Sequence, residues 1–321
     1  VPGRTDHVQQ LKVEAVTAIA VIVRGGCPSR RAECVPSAII GATMIDRDQR
    51  IGSVRDRLLG RYLGFAFGGL HFEARDISAE IAEARQMIAQ VLGHELRLPP
   101  RPNRFIHLSV VTDEADEIVG KATREVGFRD STLVVAHKEL RIRRAEWRRR
   151  GFGSALLEEN RSWYQECGVE CIVMEAEGDG SAFAAVRGFD FDVASYASRP
   201  KFKGLSEREV RFAAVEQLIN RPAVQETVDD GQAPHRESVV VFLERLKSVG
   251  VQSERQVRRF QQRLPRSIEG GEGAVSGDEF TFIAPHEIAA FGQDEPLQAL
   301  DGQSLGLAVL GLTSWSGIRM L

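Results

Sequence analysis

Residues 147–169 read WRRRGFGSALLEENRSWYQECGV. Three arginines lead into a glycine–phenylalanine–glycine turn, and apolar residues then recur at helical spacing through Leu156, Leu157, Trp163, Tyr164 and Cys167. The pattern predicts a helix that opens at the turn. Such a helix start is a ready anion site, because its first amides lack intrahelical partners and the helix dipole adds positive charge. Gly151 and Gly153 carry no Cβ, so a phosphate group can approach the backbone closely. The stretch lacks the Lys–Ser/Thr ending of the nucleotide P-loop. It also lacks the third glycine of the dinucleotide fingerprint.

Working backward, "LRLPPRPNR" breaks the pattern with its prolines. "RFIHLSVVT", "IVGKATREVGF" and "STLVVAHKELRI" then form a meander of three strands joined by short polar turns. Forward of the helix, "GVECIVMEAEG" reads as a strand and "DGSAFAAVRGFDFD" as a short helix ending at Gly188, followed by extended chain. Residues 1 to about 100 read as mostly helical, the clearest helix being "DISAEIAEARQMIAQVLGHEL", capped by Asp76 or Ser78. "LLGRYLGFAFGGL" suits either a strand–turn or a packed helix. Beyond residue 200 the chain reads as helical again, with helices in "SEREVRFAAVEQLIN", "HRESVVVFLERLKSVG" and "SERQVRRFQQRL". "RSIEGGEGAVSGDE" has the composition of a loop, and the tail "SLGLAVLGLTSWSGIRML" reads as a terminal hairpin anchored by Trp315.

In this order of elements, Arg148-Arg149-Arg150-Gly151-Phe152-Gly153 resembles the acyl-CoA loop of the GNAT acetyltransferase superfamily, Q/R-x-x-G-x-G/A. Arg148 takes its first position, and Gly151 and Gly153 take the small ones. The resemblance covers roughly residues 103–195 and includes the Gly188-Phe189 pair. It implies an α/β fold: a GNAT-like, mostly antiparallel central sheet with splayed fourth and fifth strands, flanked by helical N- and C-terminal regions. The expected division is a helical region 1–100 that completes the fold, a core at 101–200 and a helical region 201–321.

The activity implied by the resemblance is acyl transfer from acetyl-CoA, or another acyl-CoA, directly to an amine. The amine would belong to a small molecule or a peptide. Backbone amides of 149–154, namely Arg149, Arg150, Gly151, Phe152, Gly153 and Ser154, would hold the pyrophosphate. The backbone of Ile142, Arg143 and Arg144 would pair with the pantetheine arm, and Arg148 to Arg150 would face the cofactor and its 3′-phosphate. Glu139, Glu175 and His137 are candidate proton acceptors, each equally readable as an ordinary strand residue. The chain departs from the family at Ala184, where a tyrosine is usual. Between "LRI" and the motif it also carries one residue more than usual, which a β-bulge would absorb. The first departure keeps open a protein that retains the fold with weak or no turnover.

Composition bounds these readings. The 321 residues carry a net charge of −3, so any basic site is local. The run Arg141–Arg150 supplies one, and a third reading is an RNA-acting module built on it. Only Trp147 is near to stack on bases, which counts against nucleic acid. Cys27, Cys34, Cys167 and Cys171 lack metal-ligand spacing and read as reduced cysteines of a cytoplasmic protein, with a Cys27–Cys34 bridge as the minor alternative. No apolar run approaches the ~18 residues of a membrane span. A homodimer is among the arrangements left open.

Overall fold

A computed structural model describes residues 37–91, 103–220, 237–265 and 281–321. Cys27, Cys34 and the glycine-rich stretch at 266–279 lie outside the described residues. The chain divides into two compact units: one runs to Ile172 and takes in Met320 and Leu321, and the other spans Val173–Arg319.

In the first unit, helix α1 (Ser37–Leu63) is followed by strands β1 (Ala66–Phe67) and β2 (Leu70–Asp76) and helix α2 (Ser78–Val91). Then come β3 (Arg104–Thr112), β4 (Ile118–Arg129), β5 (Thr132–Ile142), a 3-10 turn (Ala145–Trp147) and α3 (Phe152–Glu166). The meander expected from the sequence is present, with β2, β3, β4 and β5 each antiparallel to the next. The described residues before 100 are mostly helical, with a short hairpin between α1 and α2. "LLGRYLGFAFGGL" is the end of α1 and a hairpin, whose two-residue turn is Gly68-Gly69 with both φ positive, at 61° and 82°. That turn matches the twist of the paired strands, which places β2 beside β3.

α1 buries Ile51, Val54, Leu58 and Tyr62, spaced three and four apart, against β2, β3 and β4. Below it Tyr62, Phe65, Phe72, Phe152 and Trp163 form an aromatic cluster with ring centroids 5.4 to 5.9 Å apart. Burial of such rings contributes about 1.5–3 kcal/mol for each side chain. α2 starts where the Asp76 carboxylate accepts the Ser78 N–H at 2.8 Å, a cap that the sequence offered as one of two.

α3 connects β5 to β6 (Cys171–Glu177). Just before β6, Glu170 N–H donates to Leu133 O at 2.9 Å, so β6 starts beside the start of β5. A strand–helix–strand connection of this kind sets the glycine turn at the carboxyl end of β5.

β6 carries the chain into the second unit, where it neighbours β8 (Ser314–Met320), which pairs antiparallel with β7 (Asp190–Phe191). The helices are α4 (Asp179–Val186), α5 (Val193–Ala197), α6 (Glu207–Asn220), α7 (Val239–Lys247), α8 (Val251–Gln262), α9 (Pro285–Ala290) and α10 (Leu305–Leu310). The tail therefore forms a helix and a strand rather than a hairpin. Ser304 starts α10 by accepting the Leu307 N–H, and Trp315 is buried edge-on to Phe191 at 5.6 Å. Phe260, Phe282 and Phe291 form a second aromatic cluster between 5.1 and 5.9 Å.

Candidate active site

The turn between β5 and α3 is built by three devices. The first is the end of β5, where Arg143 N–H donates to Val119 O on β4 at 2.8 Å. Amide and carbonyl directions alternate along a strand, so the Ile142 carbonyl faces the other edge. There the Arg148 guanidinium takes it: Nε donates to Ile142 O at 2.8 Å and Nη2 to Arg143 O at 3.0 Å. Arg148 thus closes the loop that the 3-10 turn spans. The residue count between "LRI" and the glycines is met by this 3-10 turn, while a bulge lies upstream in β5.

The second device is backbone conformation. Arg149 (φ 59°) and Gly151 (φ 86°) are left-handed, and Arg150 between them is not. Alternation of this sort turns successive N–H groups toward one side, as in the concave anion sites called nests. Gly151 is the N-cap of α3 and no side chain caps it. The first intrahelical bond is Ala155 N–H to Gly151 O at 3.0 Å, so the amides of Phe152 and Gly153 precede it. These residues fit a diphosphate group, since no side chain caps the helix start and Gly151 has no Cβ.

The third is support from the β1–β2 hairpin. The Trp147 ring lies against Gly69, and Phe67 lies against Gly151, 3.6 and 3.7 Å from where a Cβ would stand. Arg150 stacks on Trp147, its guanidinium 4.7 Å from the ring centroid. Phe152 is buried between Phe65 and Phe72. Ser154 is half-buried in the first turn of α3. Arg144 turns away into ion pairs with Glu117 and Glu146.

The proton-acceptor candidates fall in different places. The β4–β5 register passes from Arg124↔His137 to Thr123↔Glu139, so Lys138 is an extra residue in β5. The bulge puts His137 and Glu139, two positions apart, on opposite faces. Glu139 is half-buried and pairs with Lys121 Nζ at 3.2 Å. Glu175, in the second unit, is exposed and accepts the Ser316 hydroxyl at 2.7 Å. Ala184 is fully buried in α4.

His137 faces a buried polar cluster that the sequence reading did not single out. Its Nε2 lies 2.9 Å from Tyr164 Oη, which lies 2.6 Å from Tyr62 Oη. Arg124, only 1% exposed, places its charge near both phenols and donates through Nη1 to Thr123 O at 3.0 Å and Glu139 O at 2.9 Å. Burial, reinforced by the Arg124 charge, holds the His137 imidazole well below its usual pKa. The residue as a whole is half-buried. Burial likewise pushes Tyr164 and, less strongly, Tyr62 upward. A signal was present in the sequence: Arg124 shares strand parity with Ala122 and Val126, the apolar face of β4.

No family model and no curated protein matches this chain. Solved structures of acetyltransferases do match over about a third of it. An aminoglycoside acetyltransferase from an uncultured soil metagenomic sample, bound to sisomicin, is 18% identical, covering 34% of this chain and 78% of its own at a TM-score of 0.23. Naa50 of Arabidopsis thaliana, with the bisubstrate analogue CoA-Ac-MVNAL, is 16% identical over 37% and 83%, at 0.24. A GNAT family acetyltransferase from Elizabethkingia anophelis with acetyl-CoA bound is 11% identical over 38% and 77%, at 0.23. Likeness of this degree assigns no role to any residue here. The chain is thus a mixed α/β protein with a mostly antiparallel sheet, and it resembles GNAT acetyltransferases over a segment.

Proposed function

We propose that this protein is an acyl-CoA-dependent N-acyltransferase, transferring an acetyl group to the amine of a small molecule or peptide. The observation that carries the reading is the left-handed pair Arg149 and Gly151 opening α3 at the carboxyl end of β5. The backbone from Arg149 to Ser154 holds the pyrophosphate, and the backbone of Ile142 to Arg144 lies along the pantetheine arm. Acetyl-CoA, when bound, supplies the activated acyl group. Arg148 acts on the cofactor indirectly, by fixing the two carbonyls at the end of β5, and Arg149 and Arg150 add positive charge. Glu139 or Glu175 accepts the proton that the amine gives up.

Calorimetric titration of the purified protein with acetyl-CoA tests the reading, and no binding at sub-millimolar cofactor sinks it. Glu139→Gln and Glu175→Gln separate the two bases, the true one losing roughly 10²-fold or more in kcat.

Ala184 favours a second reading, a fold that binds CoA without turnover. It is sealed from solvent where the resemblance places a phenol. That reading expects CoA to bind and no free thiol to appear across a panel of amines. The RNA-acting alternative is weakened by Arg144, whose charge is already met by Glu117 and Glu146.

A further inference from the structure

The hydrogen-bond chain behind β5 has a direction, because one member can only donate. Arg124 has five N–H groups and no acceptor. It can take no proton from Tyr62 or Tyr164, so each phenol has one proton to place elsewhere. The two oxygens lie 2.6 Å apart, so one phenol donates to the other. If Tyr164 donated to Tyr62, the Tyr62 proton would have no partner, since that side chain is fully buried and touches no further acceptor among the described residues. If Tyr62 donates to Tyr164, the Tyr164 proton goes to His137 Nε2 at 2.9 Å and both phenol protons are placed. Buried donors are almost always satisfied, and stranding one is costly, which decides between the two directions.

We propose that Arg124, Tyr62 and Tyr164 are positioning residues that fix His137 as the neutral Nδ1–H tautomer, making it a hydrogen-bond donor rather than a proton acceptor. Nε2 is occupied by the Tyr164 proton. Nδ1 has no partner among the described residues and is not sealed from solvent, so its N–H is the group the ring offers outward. The fitting ligand atom is a carbonyl oxygen or another neutral or anionic acceptor. The groups facing the ring point the same way: Arg124 from β4, Tyr164 from α3 and, behind it, Tyr62 from α1. A second positive charge on the ring would meet Arg124, so protonation is resisted from inside. The same argument removes His137 from the candidate bases and leaves the carboxylates. Only the use of the donor rests on the transferase reading; the tautomer does not.

The test is two-bond ¹H–¹⁵N spectroscopy of the full chain labelled at histidine, with His137 assigned by the signals lost in His137→Asn. The expected pattern is a protonated Nδ1 and a bare Nε2, unchanged from about pH 8 down to about pH 5.5, where an ordinary histidine is charged. Tyr164→Phe should shift the ring toward the Nε2–H form and restore titration nearer the ordinary range. Tyr62→Phe, which leaves His137 Nε2 as the acceptor for the Tyr164 hydroxyl, should keep the Nδ1–H form. An Nε2–H pattern in the unsubstituted protein, or a ring charged at neutral pH, overturns the proposal even if both variants fail to fold. Absence of acetyl-CoA binding in a parallel titration would refute the transferase reading and leave this result standing.

Discussion

Arg124 Nη1 donates to the Glu139 carbonyl at 2.9 Å, across the point where β5 carries its extra residue. A bulge breaks the ladder and leaves a carbonyl without its strand partner, and here a buried guanidinium from the neighbouring strand takes it. Replacing Arg124 by methionine roughly keeps the volume but strands that carbonyl. The expected loss is about 1–3 kcal/mol in denaturant unfolding, the range for leaving a buried acceptor without its donor. A loss under about 1 kcal/mol would mean the bulge holds itself.

Gly151 is the point where backbone conformation and ligand fit coincide. An alanine there must adopt φ 86°, a strain of roughly 1–2 kcal/mol, and its methyl would stand 3.7 Å from Phe67. Gly151→Ala should therefore lower thermal stability modestly. On the transferase reading it should also weaken acetyl-CoA binding about tenfold or more, since the cradle must open to relieve the strain. Unchanged affinity in calorimetry would place the cofactor elsewhere.

Arg148 offers a cleaner separation of roles. Its two bonds to Ile142 O and Arg143 O are within the loop, so Arg148→Ala should cost about 1–3 kcal/mol and speed hydrogen exchange of the amides from 143 to 150. Lysine cannot span both carbonyls with a planar fork, so Arg148→Lys should recover only part of the loss. Lost cofactor affinity with unchanged exchange would instead assign this side chain to the ligand.

Stability should fall with acid in two steps. The folded pKa of His137 is depressed, by burial first and by Arg124 second, so only the unfolded chain takes up this proton as pH drops. Stabilisation from the neutral ring is complete above the unfolded value of about 6.5 and is lost as pH falls below it. Glu125 is also depressed: burial opposes this, but the Lys138 ammonium 2.9 Å away, Asn103 and Arg85 outweigh it. Its contribution is complete above the unfolded glutamate value of about 4.3 and fades below that. Melting temperatures taken across this range should lose the upper step in His137→Asn and a part of the lower step in Glu125→Gln, since Asp76 is depressed as well.

In the second unit, Gly306 on α10 sits where a Cβ would come within 1.7 Å of the Ile288 carbonyl on α9. No rotamer relieves a backbone clash, so Gly306→Ala has to push the two helices apart. We expect a loss of several kcal/mol, or failure of this unit to fold, seen as early melting or proteolysis within 173–319. Normal melting would mean that α9 and α10 are free to shift.

Much of the fold was legible because its signals are local. Alternation in 104–142 predicted three strands, helical spacing from Gly153 to Glu166 predicted α3, and a serine marked the start of α7. The β1–β2 hairpin was left open between a strand–turn and a helix because its strand residues, such as Phe67 and Phe72, are as apolar as those of the preceding helix. Only the positive φ at Gly68 and Gly69 separates them. The tail was misread for a related reason: "SLGLAVLGL" has apolar residues that fit either period, and burial against α9 and α4 made it a helix.

The sequence by itself determined where a helix opens on a glycine turn, since glycines after a strand and before a helix fix backbone shape through local sterics. It also determined the order of the elements around that turn. Tertiary structure decided what the neighbouring side chains do. Arg148 bends back onto the strand end, Arg144 turns to glutamates, and a bulge at Lys138 separates Glu139 from His137. Arg124, an arginine on an apolar strand face, meets two tyrosines from helices far away in the chain. Those outcomes depend on which groups are brought within about 3 Å of one another and sealed from water, where hydrogen bonds and charges act most strongly. No local pattern in the sequence carries that information.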